Sequence, residues 1–227
     1  MSESPNVAIV DYGMGNLFSV KHACEKEGLR AEITHARSDV LAADAVILPG
    51  VGAFGNAMET LHRLDLVTAL REVAQSSKPL LGICLGMQLL MTESFEFGRN
   101  AGLGILPGTV VRLDQPRSPK GLLKVPEVGW NQLHQPAGAT KRWAGTLLEG
   151  LQDGVYMYFV HSYVVRPERA DVVCAVTRYG DQEFCSALSS GNIFACQCHP
   201  ERSGHDGLKV YRNLSVLLGK NQSHARG

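Results

Sequence analysis

The chain has 227 residues, 44% of them hydrophobic, enough to bury a sizeable core within one domain. Lys+Arg and Asp+Glu number 22 each, so the formal net charge is zero and no basic surplus points to nucleic acid or to an anionic membrane. The opening Met1-Ser2-Glu3-Ser4-Pro5 lacks the basic start and apolar run of a secretory signal, and the apolar stretch Leu80 to Met91 is too short to span a bilayer, so the expected setting is cytoplasmic.

In chain order, Val7-Ala8-Ile9-Val10 reads as a short strand ending in Asp11-Tyr12-Gly13. Asn16 can start a helix whose apolar positions Leu17, Val20 and Cys24 recur at helical spacing, with Gly28 as its stop. Ala31 to His35 is expected as a second strand and Ala45 to Leu48 as a third, running into Pro49-Gly50-Val51-Gly52. Phe54 to Leu61 and Leu64 to Ala74 read as helices, Pro79 to Ile83 as a strand, and Met87 to Met91 as helical. Strands alternating with helices imply an α/β fold with a mostly parallel central sheet covered on both faces.

After Gly102-Leu103-Gly104 the character changes. Thr109 to Leu113, Gly129 to Leu133, Val155 to Val160, Val172 to Arg178, Phe184 to Leu188 and Ile193 to Cys198 read as strands separated by turn residues, an antiparallel extension returning to the main sheet. A last helix is expected from Leu208 to Leu218. Asp114 to Lys124 and Gln135 to Gly150, rich in Pro, Gly and charge, are expected as surface loops. The chain reads as one domain, 1–227, with residues 1–5 and 220–227 as loose tails.

Two strings carry chemistry. Gly82-Ile83-Cys84-Leu85-Gly86 has the pattern Gly-x-nucleophile-x-Gly between a strand and a helix, a turn sharp enough to expose its middle side chain. A thiolate there gains from the helix N-terminus but needs a base, and the base needs an orienting partner. His199-Pro200-Glu201 offers both at i and i+2, on one side of an extended segment. The alternatives are a packing thiol at Cys84 and a satisfied core histidine at His199; each residue argues for the other. Attack on an amide also requires donors for the developing oxyanion. The backbone N–H of Leu85 is one, and the loop with Val51 and Gly52 supplies another. A phosphate cradle is the competing use of that loop, but the Lys-Ser/Thr of a P-loop is missing. The other cysteines, Cys24, Cys174, Cys185, Cys196 and Cys198, lie in apolar segments and read as packing residues; Cys196-x-Cys198 has no second pair to complete a metal site, so no metal or cofactor is expected.

Those strings, together with Asp11-Tyr12-Gly13-Met14-Gly15-Asn16, Pro49 to Gly55 with Ala57-Met58, Gly129-Trp130-Asn131, Tyr158 to Tyr163 and Ser203-Gly204, resemble the triad-type class I glutamine amidotransferases over nearly the whole chain. Within them the resemblance is to the glutaminase-subunit family of imidazole glycerol phosphate synthase. It implies hydrolysis of L-glutamine by Cys84, His199 and Glu201, with the ammonia passed to a (β/α)8-barrel cyclase partner that makes imidazole glycerol phosphate and an aminoimidazole carboxamide ribotide for histidine biosynthesis. It implies glutamine contacts at Gly50, Gln88, Glu96, His161, Ser162 and Tyr163, and a partner interface at Asn16, Trp130, Tyr158 and Arg202. Where the family commonly has Pro-His-Met before Gly-Trp-Asn, this chain has Pro126-Glu127-Val128, which bears on the partner contact. Before the histidine it has Cys198 rather than the common Phe, leaving less volume behind His199. A glutaminase serving another acceptor, as in pyridoxal phosphate synthesis, and a non-catalytic scaffold with a redox-sensing cysteine are the competing readings.

Overall fold

The computed structural model describes residues 4–138 and 143–224, and of residues 221–224 only the backbone. Apart from α2, the first half alternates as expected: β1 (Asn6–Val10), α1 (Leu17–Lys26), β2 (Arg30–Thr34), α2 (Arg37–Ala42), β3 (Ala45–Leu48), α3 (Phe54–Arg63), α4 (Leu66–Gln75), β4 (Leu80–Ile83) and α5 (Leu85–Leu89). The second half holds β5 (Glu93–Ser94), β6 (Asn100–Ala101), β7 (Gly108–Arg112), β8 (Arg117–Ser118), β9 (Gly121–Leu122), β10 (Glu127–Leu133), β11 (Val155–His161), β12 (Tyr163–Pro167), β13 (Val173–Tyr179), β14 (Gln182–Ser190), β15 (Ile193–Cys196) and α6 (Gly204–His224).

Among the described residues the main sheet has 11 strands in the order β2-β1-β3-β4-β15-β14-β12-β7-β5-β6, with β13 on β14. The pairs from β2 to β15 are parallel, and the next three are antiparallel. β1, β3 and β4 read as unbroken apolar runs because helices cover both faces. Alternate side chains serve the two layers. Val7 and Ile9 pack with Val20, Cys24, Tyr211 and Leu214, whereas Ala8 and Val10 pack with Phe54, Leu61 and Leu70. Each fully buried Ile, Leu or Phe among them contributes roughly 1.5–3 kcal/mol. None of the described helices is long and apolar enough to cross a membrane.

Three expectations are corrected. β10 and β11 were expected within the sheet extension but form a separate two-stranded ribbon. It buries Leu133, Val155, Met157 and Phe159 on the core and leaves Trp130 and Tyr156 outside, the one-sided burial an antiparallel pair tolerates. The last helix begins at Gly204 rather than Leu208 and continues through 220–224, which were expected as a loose tail. Extending a formed helix needs no new nucleus, and no Gly or Pro interrupts it there. α2 and β12 were not anticipated. The loop expected over 135–150 includes residues 139–142, outside the described residues.

Candidate active site

Between β4 and α5 lies a single residue, Cys84, at φ 53° and ψ −108°. A left-handed backbone is strained for a side-chain-bearing residue and is found where function requires it. The turn closes only because residue 86 is glycine: a Cβ there would lie 1.7 Å from the Leu48 carbonyl oxygen. The Cys84 N–H donates to the Cys196 carbonyl at 2.8 Å, tying the turn to β15. Its sulfur lies 3.8 Å from the Val160 carbonyl oxygen and receives the Gln197 Nε2–H at 3.5 Å.

His199 follows β15 by three residues, and its N–H donates to the Tyr158 carbonyl at 2.8 Å. His199 Nδ1 and Glu201 Oε1 are 2.8 Å apart, with the two side chains only 4% and 1% exposed. The proximity comes not from an extended segment, as expected, but from the 3-10 turn Pro200–Arg202, which folds the carboxylate back onto the ring. A carboxylate accepts, so the proton on this side belongs to Nδ1 and leaves Nε2 for the thiol. Nε2 is buried without a fully formed hydrogen bond, yet the ring interacts with Cys84 both as a charge and as a hydrogen-bonding neighbour. Burial is the largest single influence and opposes the charged ring. The Cys84 thiolate and then Glu201 outweigh it, and the His199 pKa is pushed up to about 11. Cys198, behind the histidine, is buried in the core, and all six cysteines are unpaired. Among the described residues no group of three or more His, Cys, Asp or Glu side chains could hold a metal ion.

A cavity of about 580 Å³ opens over the sulfur, lined in part by Val51, Gly52, Leu85, Gln88, Glu96, His161, Ser162 and Tyr163. Thus the residues expected at the oxyanion hole and glutamine pocket surround one space, with the exception of Gly50. Several have partners of their own in this structure. The Leu85 N–H is already engaged, donating to the Gly50 carbonyl at 3.3 Å, so in this conformation it is not offered to an oxyanion. Gly50 lies against Tyr12, whose hydroxyl donates to the Pro49 carbonyl at 2.6 Å; a Cβ on Gly50 would lie 1.8 Å from the Tyr12 hydroxyl oxygen. Glu96 Oε2 accepts the Phe54 N–H at 2.6 Å, capping the start of α3. Gln88 spends its Nε2 hydrogens on the Tyr163 carbonyl at 3.0 Å and Gln197 Oε1 at 3.1 Å.

The cavity also takes in Phe97, Arg112 and Pro126, and Gln197 donates to the sulfur; of these only Pro126 was named from sequence, as part of Pro126-Glu127-Val128. Gln197 had a usable signal, sitting two residues before His199 and directly after the strand that reaches Cys84. Of the residues expected at a partner interface, three converge. The Trp130 and Tyr158 rings meet edge to face at 6.2 Å, and the Arg202 guanidinium sits 4.6 Å from the centre of the Tyr158 ring. Trp130 is 56% exposed. Asn16 is exposed at the start of α1, which packs against the Pro200–Arg202 turn. Glu127 does not face a partner: it is buried, while its neighbour Val128 is exposed.

Residues 8–216 match the family described as glutamine amidotransferase class-I, and the chain belongs to it. It superposes on a crystal structure of a glutamine amidotransferase with a TM-score of 0.70 at 21% identity, covering 94% of this chain and 98% of the other. PurLQS from Thermotoga maritima gives 0.66 at 19% identity, with the same coverage. These show the shared fold. Within the family the sequence is 47% identical over 212 residues to the imidazole glycerol phosphate synthase subunit HisH of Moorella thermoacetica, covering 93% of this chain and 95% of that one. It is 45% identical over 211 residues to the HisH subunit of Rhodopirellula baltica, covering 92% and 97%.

Proposed function

We propose that this chain is the glutaminase subunit of an imidazole glycerol phosphate synthase, hydrolysing L-glutamine and delivering the ammonia to a (β/α)8-barrel cyclase in histidine biosynthesis. The observation that carries the chemistry is the buried His199–Glu201 pair, with Nε2 left for Cys84 at the floor of a cavity large enough for glutamine. The names of the nearly half-identical HisH relatives support the acceptor reaction.

The Cys84 thiolate attacks the side-chain amide carbon, and the C=O electrons move to oxygen. As the tetrahedral intermediate collapses, His199 gives its Nε2 proton to the departing nitrogen, releasing ammonia and leaving a thioester. Water then adds to the thioester while His199 takes its proton; glutamate leaves and the thiolate–imidazolium pair is restored. Glu201 holds the ring's tautomer and offsets its charge in each half-reaction. In this reading Leu85 N–H and the Val51-Gly52 peptide stabilise the oxyanion, which requires the Gly50 carbonyl to turn away from Leu85. Productive catalysis therefore follows a local rearrangement of the Pro49–Gly52 segment, and docking of the cyclase is its natural trigger. Trp130, Tyr158 and Arg202 would meet the partner, as a rigid aromatic and arginine cluster suits an interface centre. Six unpaired cysteines fit a reducing, cytoplasmic setting.

The test is glutamate release by the chain alone and with the cyclase plus its nucleotide substrate. Release is expected to rise at least tenfold in the complex; equal rates would sink partner-dependent activation. Cys84→Ser is expected to abolish glutamine-dependent synthesis while the complex still uses added ammonia.

A further inference from the structure

The site holds a buried acid–base pair that the thioester chemistry does not use. β10 and β11 place Glu127 opposite His161. Their side chains are 4% and 2% exposed, with Glu127 Oε2 lying 3.2 Å from His161 Nε2. Neither atom makes a fully formed hydrogen bond, to the other or to any further group, so the contact is one of close approach. Glu127 Oε1 accepts from Asn131 Nδ2 at 2.7 Å, and the same amide donates to the Arg178 carbonyl at 2.9 Å. On the other side His161 Nδ1 donates to the Tyr163 carbonyl at 3.1 Å. That carbonyl also receives Gln88 Nε2, which reaches Gln197 Oε1, and Gln197 Nε2 reaches Cys84 Sγ.

A carbonyl only accepts, so Nδ1 of His161 carries a proton. Nε2 on the far side of the ring faces the Glu127 carboxylate across 3.2 Å. Such a buried pair gains little stability over apolar residues of similar size, because desolvation offsets its attraction; removing one member, however, strands the other. What it does supply is direction: the ring is hydrogen-bonded at Nδ1 and packed against a carboxylate at Nε2, so rotation breaks the first contact and loses the second. The gripped ring fixes the Tyr163 carbonyl, which orients the Gln88 amide at the cavity wall.

We propose that Glu127 is a positioning residue for glutamine, acting through His161 to hold the Tyr163–Gln88 wall of the pocket. This rests on the glutaminase reading. The test uses the complex with the cyclase and compares the parent with Glu127→Gln, His161→Asn and the double variant. Glu127→Gln keeps the size and the acceptor for Asn131 but removes the carboxylate facing the ring. It is expected to raise KM for glutamine about tenfold while kcat changes less than about threefold. Ammonia-dependent synthesis by the same complexes reports folding and assembly and is expected to match the parent. If the pair acts as one unit, the double variant is no worse than the poorer single variant. A KM within twofold of the parent, or singles whose effects multiply, overturns the proposal. So does loss of KM, kcat and ammonia-dependent synthesis together, since that marks a merely structural residue. A parent complex that releases no glutamate sinks the glutaminase reading and this proposal with it, whereas a working parent with an indifferent Glu127→Gln sinks the proposal alone.

Discussion

Tyr158 and His199 are bound main chain to main chain: the His199 N–H donates to the Tyr158 carbonyl at 2.8 Å. The Ser203 hydroxyl closes the loop, accepting the Tyr158 N–H at 2.9 Å and donating to the His199 carbonyl at 2.7 Å. On its other side Tyr158 presents its ring to Trp130 and Arg202. One residue of β11 thus touches both the candidate base and the candidate docking surface.

Trp130→Ala separates docking from folding. Trp130 is more than half exposed, so its loss is expected to change stability by less than about 0.5 kcal/mol. Affinity for the cyclase is expected to fall about thirtyfold, or about 2 kcal/mol, as for an aromatic anchor. Calorimetric unfolding of the free chain and titration with the partner measure the two; an unchanged Kd removes Trp130 from the interface.

Strain at the nucleophile can be isolated by comparing two variants that both lack the thiol. Cys84→Gly accommodates φ 53° freely and Cys84→Ala does not, so the glycine variant is expected to be the more stable by about 1 kcal/mol. Urea midpoints at constant m-value decide it, and equal midpoints would show that the turn carries no strain.

Gly86→Ala places a methyl group 1.7 Å from the Leu48 carbonyl oxygen, a clash with backbone rather than with a flexible side chain. The expected destabilisation is about 3 kcal/mol, with loss of glutaminase activity as α5 is pushed off β3. A variant of parental stability would mean that the turn yields more easily than its packing indicates.

The charge on His199 sets a pH dependence. The folded pKa is raised, so its contribution to stability is complete below about pH 6.5, the ordinary value, and is lost as pH rises toward about 11. In Cys84→Ser the thiolate is gone, leaving burial opposed by Glu201 alone. The ring is then expected to titrate at lower pH, followed by its NMR chemical shifts. An unmoved titration would show that the sulfur does not face the ring.

Glu96 shows how far sequence reaches. Its position at the cavity was legible through the family resemblance, but its bond to Phe54 N–H joins residues 42 apart and left no local pattern. Glu96→Ala is expected to cost about 1 kcal/mol through the lost cap, and Glu96→Gln, which keeps an acceptor, less than half of that. Thermal unfolding of the two variants checks it. The strand–turn–helix around Cys84 was legible because glycine spacing and burial are local, and β3 matched its expected bounds because all four side chains are buried. α2 escaped because its six residues bury only Val40, too little for a period to register. β12 escaped because Arg166 and Pro167 interrupt a short apolar run. The burial of Glu127 was not legible because its partner, His161, lies across a ribbon whose pairing no single segment reveals.

β15, the strand that accepts the Cys84 N–H, lies between β4 and β14 and comes more than a hundred residues after the cysteine. A nascent polypeptide therefore carries an ordinary thiol through most of its synthesis. The imidazole that gives it a charged neighbour is among the last segments to arrive, so reactivity is conferred at the close of folding, when the sheet has received its middle strand.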